Sequence, residues 1–71
     1  MGVSYSKLFK LLIDKKMKKK DLIAAAGISS STMAKLGKDE CVNVEVLVKI
    51  CNALGVNIGD IMDVVSDESV F

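Results

Sequence analysis

The chain has no histidine, no proline and no arginine, and among its 71 residues only Tyr5, Phe9 and Phe71 are aromatic. Without histidine, the commonest acid–base group and the commonest zinc ligand are both missing. Cys41 and Cys51 lie too far apart for a CxxC metal pair, and both are expected to be reduced packing residues. With no proline and half the residues hydrophobic, a compact bundle of short helices is favoured over a sheet protein, and strand signals are weak. No apolar run approaches the ~20 residues of a membrane span. The stretch Leu11 to Ile13 is short and lacks a small-residue cleavage site after it, so a soluble cytoplasmic protein with no membrane role is expected. The opening MGVSYS fits the loose N-myristoylation pattern, a six-residue match common by chance. A domain this small buries only roughly 60% of its unfolded surface, so nearly every apolar side chain must serve one core. That leaves no room for a deep active site. With no glycine-rich phosphate loop either, catalysis and a cofactor are not expected.

Charge is present but unevenly placed. Residues 1–38 hold nine lysines against Asp14 and Asp21, whereas residues 39–71 hold Lys49 against seven acids. The densest basic block is DKKMKKKD, residues 14–21. Such a division suits one face turned to a polyanion, with a solvated lysine-rich turn as the plainer explanation. The acids Asp60, Asp63, Asp67 and Glu68 are not forced together by their spacing, so no metal site is expected.

Five short helices account for the periodicity. Tyr5, Leu8, Phe9 and Leu12 recur at helical spacing, predicting a helix from about Ser4 to Lys16 capped by Ser4 or Ser6. A second, from about Lys19 to Ala26, stops at Gly27, which tolerates the left-handed conformation; Ile28 follows as a buried pivot. Ser29 is a good N-cap for a third helix from about Ser30 to Leu36, with Met33 and Leu36 inward and Gly37 at its end. After the loop 37–43, Asn43 is placed to cap a fourth helix carrying the stripe Leu47, Ile50, Cys51 and Leu54, which Gly55 ends. Asn57 and Asp60 resemble a capping box opening a fifth, with Ile58, Ile61, Met62 and Val65 facing the core.

Two helices joined by a tight turn at Ala26, Gly27 and Ile28 form a helix-turn-helix pattern. The segment MKKKDLIAAAGISSSTMAKLGK resembles the Cro/C1-type (XRE-type) helix-turn-helix family, with Leu22, Gly27, Ile28, Met33 and Leu36 in register and NALGVNIGDIM similar to its closing helices. The resemblance covers roughly residues 5–65. It implies an all-α, compact five-helix, lambda-repressor-like domain over residues 1–66, with 67–71 a short, acidic, flexible tail. It also implies sequence-specific binding of double-stranded DNA by a small transcriptional regulator, a repressor acting as a homodimer. Helix 30–36 would then enter the major groove while the second helix crosses the phosphates.

Carried over by register, the resemblance turns Ser30, Ser31 and Lys35 toward base edges and sets Lys19, Thr32 and Lys38 against the DNA backbone. The residues agree in part: Ser30 and Ser31 point outward when Met33 and Leu36 point inward, and Lys35 lies one turn beyond Ser31. Lys15, Lys16, Lys18 and Lys20 would add a diffuse field. Val64, Val65, Val70 and Phe71 are candidate dimer contacts. The chain departs from the family pattern at Ile23, where a small alanine is usual, at Lys18, a weak N-cap, and in having neither arginine nor glutamine on the third helix. Direct base readout is therefore expected to be modest. The competing class is a protein-interaction module on the same fold, antitoxin-like or a regulatory subunit with a protein partner.

Overall fold

The computed structural model describes residues 2–65. The order is β1 (Gly2–Ser4), α1 (Ser6–Asp14), α2 (Lys19–Ala26), α3 (Ser30–Gly37), α4 (Val44–Leu54), a single 3-10 turn (Ile58–Asp60) and β2 (Asp63–Val65). The architecture is mostly helical, with four α-helices rather than five among the described residues and a two-stranded sheet that corrects the all-α expectation.

The predicted fifth helix fails at Ile61. Its opening is as expected, since Asp60 Oδ2 accepts from the backbone N–H of Asn57 at 3.0 Å, but the turn ends after three residues. The chain then extends to pair antiparallel with the N-terminus, Gly2 opposite Val65, Val3 opposite Val64 and Ser4 opposite Asp63. Ser4 is thus a strand residue; Tyr5 holds the N-cap position of α1 with no side-chain capping bond, and what remains of the expected serine cap is Ser4 Oγ accepting from Ser6 N–H at 3.4 Å. Ile61 is fully buried as expected, Met62 is half-buried, but Ile58 and Val65 are 39% and 49% exposed and do not face the core. Lys7 stitches the sheet to α1: its ammonium donates to the Gly59 carbonyl at 3.2 Å and pairs with Asp63 at 3.1 Å.

The core joins Tyr5, Leu8 and Leu12 of the first segment to Leu22, Ala26, Ile28, Met33, Leu36, the α4 stripe and Ile61. Full burial of a leucine or isoleucine contributes about 1.5–3 kcal/mol, and among the described residues no charged side chain is buried to oppose it. Phe9 and Ile23 are only partly buried against this cluster. Cys51 belongs to it, while Cys41 is exposed, which corrects its reading as a packing residue; both thiols are free.

Helix ends show where local chemistry acts. Gly27, at φ +69°, and Gly55, at φ +68°, close α2 and α4 in the left-handed region, where no neighbouring atom crowds a Cβ and the backbone conformation alone favours glycine. Gly37 does not play that part. α3 runs through it, and Asp39, at φ +55°, takes the left-handed position. There Asp39 N–H donates to Leu36 O at 3.2 Å and Glu40 N–H to Lys35 O at 3.0 Å, the two bonds of a Schellman closure. Asn43 occupies the N-cap position of α4 but makes no side-chain capping bond. The acidic tail expected over residues 67–71, with Asp67, Glu68, Val70 and Phe71, lies outside the described residues.

Tyr5 links the start of α1 to this closure. Its backbone N–H donates to Asp39 Oδ1 at 2.9 Å, and its buried hydroxyl donates to the Glu40 carbonyl at 2.9 Å. Burial, first, then the neighbouring Cys41 and Asp39, push the phenol above its ordinary value of 10.0, against the opposing backbone of Val42. A raised folded-state value means that the phenol's contribution is complete below pH 10 and fades as pH rises through the folded value. Tyr5→Phe is therefore expected to lower unfolding stability by about 1 kcal/mol at neutral pH, with the gap to wild type narrowing above about pH 10. Urea unfolding of both proteins at the two pH values measures this; identical midpoints at pH 7 would contradict it.

Candidate nucleic-acid interface

The α2–turn–α3 unit is set by three backbone events. Lysine has no acceptor to cap a helix, so Lys18 is as weak an N-cap as expected; Asp21 compensates, its Oδ2 accepting from Lys18 N–H at 2.9 Å. At the far end of α2, Gly27 and Ile28 N–H groups both reach the Ile23 carbonyl, at 3.0 and 3.3 Å, turning the chain so that Ile28 drops into the core. Ser29 then starts α3 in extended conformation, its Oγ accepting from Thr32 N–H at 3.1 Å.

Met33 and Leu36 anchor α3 inward, which leaves Ser30, Ser31 and Lys35 exposed and Thr32 half-buried. Lys38, the C-cap, is exposed as well. The hydroxyls are not independent. Ser29 Oγ lies 3.0 Å from Ser31 Oγ and 2.9 Å from Thr32 Oγ1, so three of the four hydroxyls form one network, whereas Ser30 stands outside it. Lys35 is in the last turn of α3, where its charge also complements the negative end of the helix dipole.

Lys19, the first residue of α2, is exposed, with its ammonium 5.5 Å from the centroid of the Phe9 ring. The ring face attracts the cation and narrows the range of a long side chain. Among the described residues, ion pairs join Lys7 to Asp63 and Lys49 to Glu45; Lys15, Lys16, Lys18, Lys19, Lys20, Lys35 and Lys38 have none. Among the described residues no carboxylate contacts these ammonium groups.

Three contributors fall outside the residues expected from the sequence. Phe9 steadies Lys19 from another helix, a long-range contact that spacing does not encode. Asp39 combines a left-handed backbone with the Tyr5 contact just past Lys38; only its position after the last apolar residue of α3 hinted at a cap. Asp21 carried a readable signal, an acid three residues beyond the N-cap.

Residues 7–67 match the family described as the Cro/C1-type helix-turn-helix DNA-binding domain. The chain is also similar to the transcriptional regulator VanUg, known from a crystal structure: 52% of residues are identical, the TM-score is 0.88, and the alignment covers 93% of this chain and 88% of that one. No curated protein matches the chain. Among the described residues no helix is long and apolar enough to cross a membrane.

The cap geometry separates Ser29 from its neighbour. Ser29→Ala should lower stability by about 1 kcal/mol, while Ser30→Ala should leave it within about 0.5 kcal/mol of wild type. Equal losses in thermal or urea unfolding would show that Ser29 does not hold the start of α3.

Proposed function

The chain belongs to the Cro/C1-type helix-turn-helix DNA-binding family, and from that premise we propose that it is a sequence-specific transcriptional regulator, a repressor, that lays α3 in the major groove of double-stranded DNA. The observation that carries this is the division of α3 into an inward face, Met33 and Leu36, and an exposed face bearing Ser30, Ser31 and Lys35. Lys35 is the side chain with reach and charge for guanine O6 and N7, and the serines let the start of the helix approach closely. Lys19, Thr32 and Lys38 flank that face and hold phosphates, with the lysines of the α1–α2 turn adding a diffuse field. Occupying an operator is enough for repression.

One such domain offers few base contacts, so two copies on half-sites about one DNA turn apart fit the reading best. Val64 and Val65 on β2, 73% and 49% exposed, are the dimer contacts in this proposal. Val70 and Phe71, the other candidates, lie outside the described residues.

Salt separates this function from a protein-interaction role. With about four to six lysine–phosphate contacts per domain, log K should fall against log salt with a slope of roughly −0.9 per contact. Lys35→Ala is expected to weaken specific binding more than non-specific binding, and Lys19→Ala to weaken both. Fluorescence anisotropy with duplex DNA at several salt concentrations measures all three; a slope near zero, or wild-type affinity in both variants, would overturn the proposal in favour of a protein partner.

A further inference from the structure

We infer that Ser31 faces DNA as a hydrogen-bond acceptor only, and so prefers the amino base of a pair, because the hydroxyl network at the start of α3 couples it to Thr32. The inference rests on the DNA-binding reading above and concerns what that same face distinguishes.

Ser29 Oγ has one hydrogen and two lone pairs. One lone pair takes the Thr32 N–H at 3.1 Å. Ser31 Oγ at 3.0 Å and Thr32 Oγ1 at 2.9 Å then share what is left, a single lone pair and a single hydrogen. One of the two hydroxyls must donate to Ser29 while the other accepts from it. Each has only one hydrogen, so the group that donates inward has none to give outward. Ser31 and Thr32 therefore cannot both donate to a ligand while the network is intact.

Phosphate breaks the tie. A phosphodiester oxygen only accepts, so Thr32, held against the backbone, keeps its hydrogen for phosphate and accepts from Ser29. Ser31 consequently gives its hydrogen to Ser29 and turns only lone pairs toward the groove. In the major groove the donors are cytosine N4 and adenine N6, whereas guanine and thymine offer acceptors alone. Every base pair contains one amino and one keto base. The signature is thus an orientation preference, adenine or cytosine over guanine or thymine on the strand Ser31 faces, with little distinction between adenine and cytosine. Thr32 determines specificity here without touching a base.

The test is selection from a randomised duplex pool with wild type, Ser31→Ala, Thr32→Val and Thr32→Ser, each first shown to be folded by urea unfolding. The position flattened by Ser31→Ala marks the pair Ser31 reads. There wild type should favour the amino base on one strand by about fivefold, and Thr32→Ser should retain this. Thr32→Val, which frees the Ser31 hydrogen, should bring it within about twofold. A preference that divides purine from pyrimidine, or that survives Thr32→Val unchanged, would overturn the inference while leaving DNA binding intact. Recovery of no motif by wild type would overturn the DNA reading itself, and this inference with it.

Discussion

A buried tyrosine holds the end of α3 to the start of α1. Tyr5 gives its backbone N–H to Asp39 and its hydroxyl to the Glu40 carbonyl, and those two residues are the ones that close α3. An eight-residue helix is too short to persist on its own in water. α3 exists because it is fixed at three places: Ser29 caps its start, Met33 and Leu36 anchor its middle, and the Asp39 closure, tied to Tyr5, sets its end. The exposed face of α3 is held in place by these three attachments.

A helix held this way needs no bulky surface residue to stabilise it, so its leading turn can be four small hydroxyl-bearing side chains. Their roles divide. Ser29 satisfies the backbone, Ser31 and Thr32 are bound to Ser29, and Ser30 is the one hydroxyl outside the network. In the proposed complex, the lysines that have no ion pair among the described residues supply attraction that is long-ranged and indifferent to sequence, while Lys35 and the hydroxyls supply the discrimination. The absence of arginine and glutamine on α3 puts a ceiling on direct readout, which makes the orientation of each hydroxyl matter more.

What the sequence announced was local or periodic. Gly27, Ile28 and Ser29 carried the turn; Met33 and Leu36 the register of α3; Leu47, Ile50, Cys51 and Leu54 the buried stripe of α4. All are encoded within a few residues of where they act. The sheet was illegible because its strands are three residues each and gain their hydrogen bonds from a partner some sixty positions away. For the same reason Ile58 and Val65 read as helix-face residues: their apolar spacing suits a helix, but the pairing with Gly2–Ser4 replaces it. Gly37 misled in the opposite way, since a glycine near a helix end suggests the left-handed position that Asp39 takes two residues later. Cys41 was misjudged because a small apolar residue in a loop has no periodicity to place it. At the interface, the outward positions of Ser30, Ser31 and Lys35 followed from register, whereas the stacking of Lys19 on Phe9 depends on how α1 and α2 meet.

The claim that α3 is the DNA-facing element is tested most directly by two-dimensional amide NMR of the protein titrated with duplex DNA. Shifts are expected to concentrate at Ser30, Ser31, Thr32, Lys35 and Lys38, with a smaller set at Lys19 and little change at Val48, Lys49 and Asn52 on α4. Shifts centred on α4 or on β2, with α3 unmoved, would contradict it.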